Sequence, residues 1–268
     1  WTDSYKYLGL ELNCSGDFIP TSENLCTRGW KAVFKIKSAL KSLDINPELS
    51  LDMFDTLVRP IVCYGSEIWG AMNTLYCSKT KHNLWEKVGK LPVEVFQLKY
   101  CKGLLGVHKK SQNAAVMGEL GRYPLFIYIV KTMLRYVKHL DEVKEDRPLL
   151  AAAMKSDEKL ANGKSWRKNL EKIVTLFGFS TRRTLSDTYI DRIITYMKQN
   201  YESYWRNSLG DKNSDEGRLY IYRNVKSCFK FEPYLKQVSS FKIKRALTKI
   251  RISSNNLEIE TRRYANKA

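Results

Sequence analysis

The chain has 268 residues, enough for one large domain or two small ones. Its 43 % hydrophobic and 12 % aromatic content supplies a core and excludes wholesale disorder. A formal net charge of +18 with a pI near 9.6 draws polyanions, nucleic acid first and an anionic membrane surface second.

Tyr5 to Leu12 alternates, with Leu8, Leu10 and Leu12 on one face and Tyr7, Gly9 and Glu11 on the other, which is the period of a strand. Asn13, Ser15, Gly16 and Asp17 supply a turn, and Phe18-Ile19 can pair back to complete a hairpin. A lone hairpin is marginal in water, so the leucine face needs a cover. A helix is predicted from about Asn24 to Leu43, with Val33, Ile36, Leu40 and Leu43 buried. Lys31, Lys35, Lys37 and Lys41 crowd its remaining surface, with no acid between Trp30 and Leu43. Such a face suits phosphate neutralisation without base reading, or is simply solvated.

After the Asn46-Pro47 break, the stretch Leu51–Gly70 organises the chain. Phe54, Leu57, Val58, Ile61, Gly65 and Ile68 recur at helical spacing, and from Leu57 onward the segment is apolar almost all round, predicting a buried helix. Pro60 inside it predicts a kink or a boundary between two helices. Asn73 to Lys90 reads as a loop or a short exposed helix, and Leu91 to Leu105 as helical again. Lys109 and Lys110 precede a short helix that stops at Gly121, before Arg122-Tyr123-Pro124. Glu119 and Arg122, three apart, form a candidate structural pair. Further helices are predicted over Ile127–Leu140, Pro148–Ala161, Trp166–Phe177 and Ser186–Leu209, with an Asn162-Gly163 turn and a polar linker from Gly210 to Gly217. Leu219–Val225 fits a strand or a helix start equally. Between Pro233 and Leu257 six basic residues and no acid occur. Ile243, Leu247 and Ile250 make an apolar stripe there, and Lys242, Arg245 and Lys249 share another face. That helix suits a phosphate backbone, a membrane surface or solvent.

The six cysteines form no C-x-x-C pair, and His82, His108 and His139 bracket none of them, so a zinc site is not supported. Single cysteines among apolar residues suit a reducing compartment. No run of about 18 apolar residues predicts a membrane span. No Asp-Asp pair occurs, no glycine-rich phosphate loop carries a lysine, and Asp44, Asp52, Asp55, Asp187 and Asp191 lie on or near helices rather than in a hairpin. On its own the chain is expected to catalyse nothing.

Three strings carry a resemblance. Phe54-Asp55-x-Leu57-Val58-x-Pro60-Ile61-x-x-Tyr64-Gly65-Ser66-Glu67-Ile68-Trp69-Gly70 resembles the segment beyond the polymerase palm in reverse transcriptases of non-LTR (LINE-type) retrotransposons. Phe96, Lys99, Leu105-Gly106-Val107, Lys109-Lys110, Asn113, Ala115-Val116 and the run Gly118–Leu125 resemble the post-thumb region of the same polymerases. Tyr7-Leu8-Gly9 matches the primer-grip hairpin, and the string from Ile250 to Tyr264 is similar to the tail that precedes a Cys/His zinc segment in that family. Nothing between about Pro148 and Gly217 carries the resemblance.

What the resemblance implies is a mainly α fold, a multi-helix thumb-like bundle preceded by a short β-hairpin. Residues 1–20 would be the end of a palm, 21–145 the thumb-like and post-thumb helices, 146–209 a helical linker region and 210–268 a basic C-terminal segment. The chain would be the non-catalytic C-terminal portion of an RNA-directed DNA polymerase. It would grip RNA and DNA of a template–primer duplex through Tyr7, Gly9, Lys31, Lys35, Lys37, Lys41, Lys109, Lys110, Lys242, Arg245, Lys249 and Arg251. Its partner would be the fingers and palm of the same polypeptide, where paired aspartates hold Mg2+; no cofactor is expected in this chain, and no membrane partner. An intracellular location, nuclear and cytoplasmic, follows from the family. Two alternatives are a stand-alone, domesticated helical nucleic-acid-binding protein and a decayed structural fragment.

Overall fold

A computed structural model of the chain describes residues 3–40, 46–73, 84–161, 164–210 and 219–254. Lys41, Asp44, Cys77, His82, the Asn162-Gly163 turn, most of the Gly210–Gly217 linker and the tail beyond Ser254 lie outside the described residues. The described fold is mainly helical, with one two-stranded antiparallel hairpin at its start.

The hairpin is tighter than the alternation suggests. β1 (Ser4–Tyr7) pairs with β2 (Leu10–Asn13) in the register Tyr7↔Leu10 and Ser4↔Asn13. The run Tyr5–Leu12 is therefore not one strand. It folds back at Leu8 and Gly9, whose φ of 45° and 87° give the two-residue turn that matches strand twist. Glycine at the second turn position makes this bend possible, and the leucine face is split: Leu10 is buried, while Leu8 at the tip is 72 % exposed.

α1 (Ile19–Ala39) begins and ends earlier than predicted. Its buried side is Thr21, Ser22, Leu25, Cys26, Gly29 and Val33; of the expected stripe Val33 is fully covered, Ile36 and Leu40 are half-buried, and Leu43 lies outside the described residues. The stretch Leu51–Gly70 is not one buried helix. α2 (Pro47–Met53) runs into a π-helical turn (Phe54–Val58), then α3 (Arg59–Val62) and α4 (Ser66–Asn73). Pro60 falls in the first turn of α3, where its missing N–H costs little, and the wider π turn carries the carbonyls its ring would otherwise crowd. The expected boundary at Pro60 is present. The buried positions are Leu51, Phe54, Val58, Val62, Cys63, Gly65, Ser66, Trp69 and Gly70, and Leu57 and Ile68 face outward.

The chain continues through α5 (Leu84–Val88), α6 (Pro92–Leu105), α7 (Asn113–Glu119), α8 (Leu125–Val143), α9 (Pro148–Lys159), α10 (Trp166–Thr175), α11 (Asp187–Ser208), α12 (Tyr220–Val225), α13 (Tyr234–Gln237) and α14 (Phe241–Arg251). α5, expected to be exposed if helical, buries Leu84, Trp85 and Val88. Leu219–Val225, open on sequence, is helical from Tyr220.

Two compact units divide these elements. One comprises residues 1–37, 54–96 and 123–201, the other 38–53, 97–122 and 202–268. In the first, α4 packs along α8, where Gly70 sits against Ile129 and Met133. Ile127, Val130, Leu134 and Val137 of α8 are buried as their spacing predicts. Trp85 is edge-on to Phe126 and Tyr201, and its indole N–H donates to Asn200 Oδ1 at 2.9 Å. Glu94 is buried and accepts the Phe126 N–H at 2.6 Å, capping α8 from α6. Burial pushes its carboxyl up to about 7, against those backbone hydrogen bonds.

The second unit is built around α7. Trp205 Nε1 donates to the Ala114 carbonyl at 2.9 Å and Tyr222 Oη to Ala115 at 3.1 Å. Gly121, at φ +57°, lets the backbone at Phe231 approach so closely that a Cβ would lie 2.6 Å from its nitrogen. Leu120 and Phe231 form a bridge there, and Glu232 N–H donates to the Glu119 carbonyl at 3.0 Å.

Candidate nucleic-acid interface

In the first unit the hairpin lies on α1. Arg28 Nη1 donates to the Gly9 carbonyl at 3.3 Å, Thr21 Oγ1 donates to the Glu11 carbonyl, and Tyr64 Oη donates to the Leu8 carbonyl at 2.9 Å. Leu10 is seated on Gly65, where a Cβ would be 2.5 Å from Leu10 Cδ1. Between hairpin and helix opens a cleft of about 380 Å³, lined by Ser4, Lys6, Gly9, Asn24 and Arg28 among others.

At about 100° per residue, Asn24, Arg28, Lys31 and Lys35 share one face of α1. The cleft beside Gly9 therefore opens onto a row of cations that continues along the helix. Lys31, Lys35 and Lys37 are exposed and make no ion pair among the described residues. Of the candidate residues, the fold brings together Gly9, Lys31 and Lys35; Tyr7 stands 56 % exposed on the same hairpin, and Lys37, about 120° round the helix from Lys31, is off that row. Lys41 lies outside the described residues. Arg28 and Lys6 were not singled out from sequence. Arg28 is three residues before Lys31 and seven before Lys35, a helical spacing that reveals it once the helix starts at Ile19.

In the second unit the loop after α6 meets the end of α14. Arg245 Nη2 donates to the Gly106 carbonyl at 3.3 Å, His108 N–H donates to Ser254 Oγ at 3.2 Å, and the Ser111 and Ser254 hydroxyls are 2.7 Å apart. Lys109 and Lys110 are exposed on that loop, and Lys242 is exposed on the helix. The structure thus joins the Lys109-Lys110 element to the helix of Lys242, Arg245 and Lys249.

Arg251 has a different environment from these. It is 19 % exposed, and it donates from Nε to Glu119 Oε1 at 2.6 Å and from Nη2 to Glu232 Oε2 at 2.7 Å. Glu232 also takes a hydrogen bond from the buried Lys226 ammonium. The guanidinium lies 5.2 Å from the Tyr234 ring centroid. Burial pushes Glu119 up to about 7 despite the pull of Arg251. Glu119 pairs with Arg251, 132 residues away.

The apolar stripe of α14 is on its exposed side. Lys244, Thr248 and Ile252 are buried, while Ile243 and Ile250 are about half exposed and Leu247 is 37 % exposed.

The acids have structural partners. Asp55 pairs with Arg59 at 3.1 Å, Asp187 with Lys138 at 2.7 Å and Asp191 with Lys131 at 2.8 Å. Among the described residues no group of three or more His, Cys, Asp or Glu side chains gathers in a way that could hold a metal ion. No described helix is long and apolar enough to cross a membrane. No family model matches the chain, and no curated protein or solved structure matches it.

Proposed function

We propose that the chain binds nucleic acid by its phosphate backbone, as the primer-grip and thumb-side portion of a LINE-type reverse transcriptase, with the fingers and palm of the same polypeptide as its partner. The observation that carries this reading is the cation row on α1 beside the hairpin cleft. Arg28 is held at the Gly9 carbonyl, and Lys31 and Lys35 follow on the same face with no ion pair among the described residues. Ammonium groups left unpaired along one helix suit a polyanion that runs parallel to it. The motif strings around Phe54–Gly70 and Phe96–Leu125 support the polymerase assignment. The chemistry belongs to paired aspartates elsewhere, and the role of this chain is to hold the template–primer.

The test is the salt dependence of binding to an RNA/DNA duplex. Six phosphate contacts give log affinity against log salt a slope of about −5. Replacing Lys31, Lys35 and Lys37 together with Gln flattens it by about 3. A slope near zero refutes the reading.

One observation favours the stand-alone alternative. Leu10 of the hairpin is covered from within the chain, by the Gly65 turn, so the hairpin does not depend on a palm for its apolar contact. Cooperative unfolding and duplex binding by the isolated chain are the results that reading requires; aggregation through Leu8 points instead to a decayed fragment.

A further inference from the structure

Phe34 is 63 % exposed in the middle of the lysine face of α1. Lys31 lies three residues before it, Lys35 next to it and Lys37 three residues after, so cations flank the ring along the helix and on both sides around it. The ring has a fixed backing. Trp30, one helical turn before it, has its ring centroid 6.0 Å away at an interplanar angle of 33°, and Trp30 is itself held against Phe96 at 4.6 Å. Behind these rings Gly29 lets α1 approach Val62 and Phe96 closely. An aromatic side chain supported this way is presented to solvent with little freedom left to lose.

A phosphate-binding face has no use for a bare phenyl ring. In a continuous duplex the faces of the bases are stacked on one another, and only edges and backbone are within reach. An unpaired base does offer a π-face, and a ring among cations is the arrangement that single-strand binders use. We infer that Phe34 stacks on an unpaired base while Lys31, Lys35 and Lys37 hold the phosphates on either side of it. The α1 face then takes a single strand, or the overhang at a duplex end, in preference to the interior of a duplex. This inference rests on the nucleic-acid reading above and narrows its substrate.

The experiment is fluorescence anisotropy of the full chain with three labelled probes: a dT oligonucleotide of about 20 nucleotides, a blunt duplex of the same length, and that duplex with a dT overhang. Wild type binds the single strand and the overhang more tightly than the blunt duplex. Phe34→Ala lowers single-strand and overhang affinity by between about 5-fold and about 150-fold, the range of one lost base stack, and changes blunt-duplex affinity less than about 2-fold. Phe34→Trp retains single-strand binding, and Phe34→Leu, which keeps apolar area but no ring, falls with the alanine variant.

Equal losses on all three probes, or full binding by Phe34→Leu, overturn the stacking role and leave backbone binding standing. Wild-type binding of duplex with no preference for unpaired strand does the same. Failure of wild type to bind any probe overturns both readings. Unchanged thermal unfolding of Phe34→Ala is required, since a residue that is 63 % exposed carries little of the core; a marked fall in midpoint makes the ring structural and ends the proposal.

Discussion

Arg251 and Glu119, 132 residues apart in sequence, meet at 2.6 Å in the interior of the second unit. Glu119 has no exposed side-chain surface, and its second oxygen, Oε2, has no hydrogen-bond partner. With Glu232 and Lys226 the pair makes a four-membered ionic group of two acids and two bases that ties α7 to α14. Arg251 belongs to the sequence-predicted phosphate contacts, yet its guanidinium is committed to two carboxylates. Removing it leaves buried Glu119 uncompensated, which costs about 3–5 kcal/mol. Arg251→Ala therefore lowers the urea midpoint strongly, and it leaves the salt slope of binding unchanged wherever the protein is still folded. The double variant Arg251→Met/Glu119→Gln is less destabilised than the sum of its parts. A flattened slope in a stably folded Arg251→Ala protein counts against this placement.

Glu94 gives a pH dependence of definite sign. Burial raises its folded carboxyl to about 7 from an ordinary value of 4.5, so the folded state binds the proton more tightly than the unfolded state. The contribution to stability is fully present below about pH 4.5 and is lost as pH rises through 7. A shift of that size corresponds to about 3 kcal/mol. Glu94→Gln keeps an oxygen for the Phe126 N–H and removes the titration. Unfolding free energies of wild type and Glu94→Gln, compared between pH 5 and 8, converge at the acid end. At the alkaline end the variant is the more stable. A difference independent of pH disproves the assignment. Glu119 titrates in the same direction, so wild type and variant both retain some loss of stability on alkalinisation.

Two glycines with similar backbone angles have different neighbours. Gly121 (φ +57°) faces the Phe231 nitrogen at 2.6 Å from an ideal Cβ, and Gly16 (φ +71°) faces nothing within 4 Å. Alanine at either position meets the left-handed strain of about 1–2 kcal/mol. Only Gly121→Ala also pushes apart the Leu120–Phe231 bridge, so it is the more destabilised by a clear margin in equilibrium unfolding. Equal effects at both sites are inconsistent with the close approach.

Periodicity carried the long helices well and the polar packing poorly. α8 buries the positions its spacing marks, Ile127, Val130, Leu134 and Val137, and of the apolar residues of α11 Ile190, Ile193, Ile194, Met197, Tyr201 and Trp205 are buried while Tyr204 is half-buried. The hairpin misled because an eight-residue alternation is equally the pattern of two four-residue strands, and only the backbone freedom of Gly9 distinguishes them. The π turn before Pro60 advances the buried face, so Leu57 and Ile68 turn outward. At the candidate site the lysines of α1 were legible as a cluster. Their alignment with Arg28 and the Gly9 cleft was not, because it depends on where the helix begins and on a hairpin that doubles back. The Arg251–Glu119 pair left no local signal at all, since its partners are 132 residues apart in sequence.

α14 shows the same limit in a form that can be tested. Its apolar stripe of Ile243, Leu247 and Ile250 is outward, and the helix is fixed by Lys244, Thr248 and Ile252 together with the Arg251 ion pairs. Thr248 is buried because both of its hydrogen-bonding roles are satisfied: Oγ1 donates to the Lys244 carbonyl at 2.9 Å and lies 2.7 Å from Tyr234 Oη. A polar side chain with its partners in place can occupy an interior position that hydropathy assigns to isoleucine. Ile243→Ser and Ile250→Ser, at sites about half exposed, therefore cost no more than about 0.5 kcal/mol each. Ile252→Ala, at a site with no exposed surface, costs about 2–5 kcal/mol. Thr248→Val strands the Tyr234 hydroxyl and costs about 1–3 kcal/mol. The opposite ranking, with Ile243→Ser and Ile250→Ser the damaging changes, rejects the packing described for this helix.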